Sequence, residues 1–437
     1  MKQSKTPFIV TFKLNVILSL LVLSMQLSYS QNNNQIVFEH YGLEAGFNSR
    51  EAMDITTTPN GMVWVTSNDG LVRYDGNRFK FYQSNPYDTS SLIYNYCQDI
   101  DTDKRGWLWV ESGSNLELFK PQTEQFFHLK LTGSNNERKP VLPTNFYYDT
   151  TTDIMWITTR RGLYFSKGGS FNLQSISVIS KDKLLADVDL YSVMPDGPHH
   201  LWLSGRYEVC KLNVQTGEAI WYKVAAKITK GGYTKAVGNI MCSYLDEDKI
   251  LWLGTWQTGL IEFNTVTQET NQYFYRNPEQ EENVVMDIVK IKEQPNTLWL
   301  STSGFGFTKF NIKTKQFTSF NSTFYNDKYK IKGNSFGLFF DKNHIMWIGS
   351  ETGLHKYDVN KQLFTTLDLS AVSNGVMMFP ASTMALQNSL PKQDELLWFH
   401  IPYKGGYRYN ILQQKLYRCR KRLLNISTLQ PVFWVFL

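Results

Sequence analysis

Charge is scarce in this 437-residue sequence: Asp, Glu, Lys and Arg together make up 19% of it, and only four residues are cysteine. With 42% of residues hydrophobic, an intrinsically disordered chain is excluded, because such chains lack the apolar surface needed to offset conformational entropy. Cys97, Cys210, Cys242 and Cys419 are scattered, with no C-x-x-C or metal-ligand spacing. A zinc site and a disulfide framework are therefore not expected; free, buried thiols are. The 45 basic and 39 acidic residues are interspersed, so the net charge of +6 reads as a solvated surface rather than a phosphate-neutralising stripe. Nucleic acid is not an expected partner. Also missing are a G-x-S-x-G elbow, an H-E-x-x-H helix, a phosphate-cradling Gly-rich loop and a dinucleotide fingerprint. No catalytic residue, metal or cofactor is expected from the sequence.

Long apolar runs are absent apart from one near the N-terminus. Lys2, Lys5 and Lys13 precede the stretch Val16 to Leu23, which is followed by Ser28-Tyr29-Ser30. A charged head, a short apolar middle and small residues at −3 and −1 predict a secretory signal over residues 1–30. The alternative is a retained anchor, although Leu14 to Leu27 is short for a span of ~20 residues. At the other end, after Tyr417, Arg418-Cys419-Arg420-Lys421-Arg422 leads into an apolar tail that breaks the preceding pattern. Residues 418–437 are read as an aberrant or truncated end.

What the sequence has in abundance is aromatic residues, 15% of the chain, and they recur in register. The pattern is a polar turn, an apolar residue, Trp, an apolar residue, small polar residues, Gly, and an apolar residue before an aromatic. It is clearest in Met62-Val63-Trp64-Val65 through Tyr74-Asp75 and in Met346-Trp347-Ile348-Gly349 through Tyr357-Asp358. Trp64, Trp109, Trp156, Trp202, Trp252, Trp299, Trp347 and Trp398 are separated by 45, 47, 46, 50, 47, 48 and 51 residues. Each unit reads as four strands; in the first these cover Glu51 to Thr57, Met62 to Ser67, Gly70 to Tyr74 and Arg78 to Gln83. Gly70 supplies the positive φ of the tight turn, Asn115 is expected to do so in the second unit, and Glu208 demands a different hairpin in the fourth.

Units of ~40–50 residues with four strands predict an all-β fold, a β-propeller, with the Trp side chains packing blade on blade. A solenoid is the rival architecture. Gln35 to Tyr41 resembles an outer strand without inner partners, suited to completing the last blade and locking the circle. Seven blades over residues 31–370 are favoured, with the eighth repeat, 371–417, starting a second propeller; one eight-bladed ring is the alternative.

These repeats, with the opening Phe38-Glu39-His40-Tyr41-Gly42-Leu43, resemble the two-component regulator propeller repeats of bacterial sensors. The resemblance covers Gln35 to Tyr417. It implies the periplasmic sensor region of Bacteroidetes hybrid two-component systems, which sense glycan breakdown products and induce genes for polysaccharide use. This sequence shows no kinase or receiver motif and no second membrane span, so the resemblance reaches only the input module, and membrane attachment would come through a C-terminal part that is missing here. An oligosaccharide is the implied ligand, with a homodimer left open.

Ligand-binding residues are expected at hairpin tips, since loops on a rigid scaffold carry recognition. The candidates are Arg160, Arg161, Arg206, Tyr207, Trp256, Gln257, Tyr403 and Lys404. Arg can grip a carboxylate or sulfate in bidentate fashion, and Trp or Tyr can stack on a sugar ring. Asp99, Asp101 and Asp103 share a calcium loop's spacing, but Gly106 falls at position eight rather than six, so a solvated turn before Trp109 is expected. His199 and His200 are read as turn residues. The functional alternatives are a glycan lyase or glycosidase on the same fold and an adhesive or structural propeller.

Overall fold

Short runs that alternate around each Trp form strands because flat and β-branched side chains pack on a pleated surface. A computed structural model of the chain describes residues 38–131, 141–176, 188–224, 239–278, 283–304, 306–319, 331 and 333–359. It also gives the backbone of strands Lys227–Lys230, Tyr233–Ala236, Thr383–Leu386, Leu396–Ile401, Gly405–Asn410 and Lys415–Arg418. The signal segment read in residues 1–30, Cys419, Tyr403 and Lys404 lie outside the described residues.

The chain divides into two compact units, Met1–Phe364 and Thr365–Leu437. The first is a seven-bladed β-propeller. Blade 1 consists of Ala52–Thr57, Val63–Ser67, Gly70–Tyr74 and Phe79–Tyr82, antiparallel in sequence order. Blades 2 to 6 repeat this order over 97–129, 143–175, 192–223, 240–273 and 285–319. Blade 7 takes three strands from Ser335–Phe340, Ile345–Ser350 and Gly353–Asp358, and its outer strand is Glu39–Tyr41 from the start of the propeller. A hairpin of Lys227–Lys230 and Tyr233–Ala236 is inserted between blades 4 and 5. The second unit holds one four-stranded antiparallel sheet, Thr383–Leu386, Leu396–Ile401, Gly405–Asn410 and Lys415–Arg418, with Trp398 in its second strand. The ring therefore closes at seven blades, and the eighth repeat stands outside it.

The Trp residues account for the stacking. Trp64 lies with Ile100, Leu108, Val110 and Phe119 of blade 2. Trp109 packs on Phe146, Met155 and Ile157 of blade 3, and Trp156 on Val193, Leu201 and Leu203 of blade 4. The same step recurs for Trp202 on blade 5, Trp252 on blade 6 and Trp299 on blade 7. Trp347 returns to Ile55, Val63 and Val65 of blade 1, completing the circle. All seven indoles are at most 4% exposed, so burying each requires the next blade to be in place.

Four indoles are also held by a group six residues upstream. Trp252 Nε1 donates to Asp246 (2.9 Å), Trp347 to Asp341 (3.1 Å), Trp202 to Asp196 (3.3 Å), and Trp64 to the Thr58 hydroxyl (3.3 Å). The other oxygen of Asp246 accepts the backbone N–H groups of Asp248 and Ile250, so one carboxylate ties the turn to the wedge.

The closing strand pairs Glu39 with Lys356, His40 with His355 and Tyr41 with Leu354. Phe38 packs edge-on against Phe307 of blade 6 and beside Tyr357, and Lys356 reaches Glu39 at 3.0 Å. Gly70 has φ of 118° in its turn. In blade 2 the expectation for Asn115 fails: Gly113 (φ 51°) and Ser114 (φ 72°) make the left-handed turn. Asn115 instead begins the third strand, its side-chain amide donating to the carbonyls of Ser112 and Gly113. The Glu208 hairpin has the longer tip 205–207, closed by Gly205 N–H to the Glu208 carbonyl. Cys97 and Cys210 are buried free thiols, whereas Cys242 is half-buried. No helix among the described residues is long and apolar enough to cross a membrane.

Asp246→Ala leaves three donors without their acceptor and should cost about 3 kcal/mol in urea unfolding, with Asp246→Asn losing about half of that. A loss under about 1 kcal/mol for the alanine variant would show that the turn holds without the carboxylate. Phe38→Ala should cost about 3 kcal/mol and raise the unfolding rate, because the ring seam rests on that ring contact.

Candidate ligand-binding face

Alternation of strand direction puts the tips between second and third strands on one face of the propeller, together with the connections that enter each inner strand. In five blades the residue three after the Trp ends the second strand and ties its tip. Ser67, Thr159, Thr255, Thr302 and Ser350 each donate to the carbonyl of the residue that reopens the chain, at 2.8 to 3.0 Å. The tips are thus short and fixed, and what they project is set by the scaffold.

Arg160 and Arg161 form the tip of blade 3, Arg206 and Tyr207 that of blade 4, and Trp256 and Gln257 that of blade 5. Six of the eight residues proposed from sequence therefore sit on one face and on three consecutive blades. Trp256 is 45% exposed and Tyr207 49%, which leaves a ring face open to a ligand. Arg206 pairs with Asp189 at 3.2 Å. Arg160 is exposed and makes no ion pair among the described residues. Gln257 is half-buried, its carbonyl accepting the Asn283 N–H, so it supports the tip more than it offers itself. The sequence reading overlooked Tyr94 and Tyr96, 54% and 43% exposed on the connection into blade 2, because they lie outside the Trp motif.

Below this face, the inner strands carry acids that the sequence reading misjudged. Asp99 and Asp101 do not sit in a solvated turn: they belong to the inner strand Cys97–Thr102, and Asp103 behind them is buried. The pairing of six inner strands shifts register near their starts. At the bulges of blades 1 and 6, and beyond the bulge in blade 2, a carboxylate reaches across to the next blade. Asp54 accepts from Ile55 N–H (2.8 Å) and from Ile100 N–H of blade 2 (3.2 Å). Asp101 accepts from Tyr148 N–H of blade 3, and Asp287 from Leu338 N–H of blade 7, both at 2.8 Å. The runs Ala52-Met53-Asp54-Ile55, Cys97-Gln98-Asp99-Ile100 and Val285-Met286-Asp287-Ile288 are the signal that could have revealed them. Gly337 stands at the corresponding place in blade 7, where a Cβ would come within 2.6 Å of Asp54 Oδ1.

These carboxyls are enclosed by protein. Burial pushes Asp101 and Asp287 up to about 7, outweighing the backbone N–H groups that each accepts. Asp99 is held well above the carboxylate range, first by burial and then by Asp54, itself raised by burial and hydrogen-bonded to Asp99. A pair in such contact leaves no room for a glycosidic bond between its members, which hydrolysis sets at ~5–9.5 Å of separation. The bonds to neighbouring N–H groups make these acids staples between blades. Among the described residues no group of three or more His, Cys, Asp or Glu could hold a metal ion.

The sign of their pH effect follows. Between pH ~4, where an unfolded Asp has lost its proton, and pH ~7, the folded state holds the extra protons, so stability from these groups falls as pH rises. Asp287→Asn removes that term; its Tm relative to the unmodified protein should improve by a few degrees between pH 5 and pH 8, read by calorimetry. An equal difference at both pH values would show Asp287 to be ionised throughout.

No model of a known protein family matches the chain. Over 68 residues, 16% of this chain and 5% of the relative, it is 32% identical to histidine kinase P4 of Formosa agariphila. Among solved structures, an extracellular domain assigned to a hybrid two-component system of B. thetaiotaomicron superposes with a TM-score of 0.62 at 15% identity, over 89% of this chain and 55% of that one. A second extracellular domain of B. thetaiotaomicron, assigned to a one-component system, gives 0.57 at 13% identity over 88% and 54%. The chain thus spans just over half of these two domains. A streptogramin B lyase gives 0.51 at 14% identity, over 74% of this chain and 97% of the enzyme. At such identities the likeness is one of fold. The chain is a seven-bladed β-propeller similar in architecture to the extracellular domain of a Bacteroides hybrid two-component system.

Proposed function

We propose that this propeller is the extracellular, periplasmic input module of a two-component type sensor, and that its tip face binds glycan-derived oligosaccharides without transforming them. The observation that carries the reading is the agreement of fold with the extracellular domain of a hybrid two-component system over 89% of the chain. The short match to a histidine kinase supports the same direction. Exposed Trp256 and Tyr207 beside Arg160, Arg161 and Arg206 offer the stacking surfaces and charge-assisted donors that a sugar requires. The channel acids are engaged as inter-blade staples, which speaks against a hydrolytic pair there.

A second reading, a propeller lyase, is favoured by the likeness to the streptogramin B lyase over nearly all of that enzyme. Turnover separates the two: a lyase releases product from its substrate, whereas a sensor module only gains thermal stability from its ligand. In a thermal-shift screen of residues 31–437 against plant and host oligosaccharides, a binding sugar at 100 times its Kd should add about 2.7 kcal/mol of stability. Trp256→Ala with Arg160→Ala should abolish most of that shift while leaving the ligand-free Tm nearly unchanged. Unchanged affinity in the double variant would move the site off this face, and product release would favour the enzyme.

A further inference from the structure

The tip face is divided by charge. Around blades 7 and 1 it carries Glu351, Glu51 and Asp69, with Arg50 the one cation among the described residues there. Two of these acids have fixed partners: Glu51 accepts from Asn68 (2.6 Å) and Asp69 from Ser49 (2.8 Å). They are built into the face and cannot swing away. Across the channel, blades 3 and 4 present Arg160, Arg161 and Arg206, and the carboxylates among the described residues of that sector are Asp189, engaged by Arg206, and the half-buried Glu208 at the blade 4 tip. The exposed rings of Tyr207 and Trp256 stand in the basic sector.

Resting on the sugar-binding reading above, we infer that the ligand is an anionic oligosaccharide, bearing carboxylates or sulfates, held off-centre over blades 3 to 5. Two physical effects act together. The arginine tips attract the acid groups and can bind them in bidentate fashion, while the open indole and phenol rings take the apolar faces of the sugars. The acids of blades 7 and 1 repel the same ligand, so the far sector fixes where it lies; specificity comes from the repulsive half as much as from the attractive one. A neutral sugar would gain from stacking alone and would feel no preference between sectors.

Isothermal titration of residues 31–437 with oligogalacturonate, a sulfated chondroitin oligosaccharide, a neutral xylo-oligosaccharide of equal length, and polyglutamate provides the test. At least one acidic sugar should bind, with affinity falling about tenfold or more when salt is raised from low to high ionic strength, as exposed charge pairs are screened. Arg160→Ala with Arg161→Ala should weaken it by about tenfold or more, whereas Glu351→Gln should leave it equal or tighter. Tight binding of the neutral sugar alone would overturn the charge assignment and leave the sugar-binding reading standing. Polyglutamate binding as well as the acidic sugars would overturn it from the other side, since the surface would then read charge without sugar. No binding by any saccharide would overturn both readings.

Discussion

The insertion of one indole from each blade into the apolar face of the next is the contact on which the propeller depends. A four-stranded sheet of this size cannot bury both faces by itself, and each Trp gives one face a reason to lie against a neighbour. Because the step from Trp64 to blade 2 is repeated until Trp347 meets blade 1, the packing has no free end. The carboxylates at Asp196, Asp246 and Asp341 set the height of the wedge by joining the indole N–H to the turn below it. A fault in one blade is therefore felt in the next.

Closure depends on a different contact. The ring is sealed by the three-residue strand Glu39–Tyr41, whose backbone pairing is short but whose flanks are aromatic. Tyr41 touches Trp347 and Tyr74, and Phe38 bridges blades 6 and 7, so the two ends of the ring share one cluster of rings. His40 lies over His355 with ring centres 4.6 Å apart, and burial lowers His355 to about 3, keeping that imidazole neutral at neutral pH. Around the channel, the bulged starts of the inner strands turn backbone N–H groups toward the neighbouring blade, where Asp54 and Asp287 receive them, and Asp101 receives Tyr148 N–H farther along blade 3. Seam, wedges and staples together make the scaffold stiff enough for short tips to present fixed chemistry.

That stiffness gives the tip face its functional meaning. Seven hairpin ends, most of them tied by a Ser or Thr at the close of the second strand, vary freely in what they project. Here the variation is organised: arginines and open rings on blades 3 to 5, carboxylates on blades 7 and 1. A ligand that carries both charge and flat apolar rings fits such a surface better than one that carries either alone.

The Trp spacing of 45 to 51 residues together with the four strand-like runs inside each unit made the repeated four-stranded sheet legible. Phe38 to Tyr41 was also legible as a strand without partners. Turn chemistry was readable where Gly70 stands and misread where Asn115 does, since the same hairpin can place its left-handed residues one position earlier. Asp99 and Asp101 looked like solvated acids because their spacing was read against a calcium loop rather than against the matching run at Asp54, and Asp101 lies outside that run, reaching Tyr148 of the next blade. Likewise, only the closed ring brought Arg160, Arg206 and Trp256, nearly a hundred residues apart in sequence, onto one face, and set Glu351 and Glu51 opposite them. Local pattern determined the strands because strand formation depends on residues close in sequence. Which side chains share a surface was decided by the number of blades and the direction of closure, which belong to the whole circle.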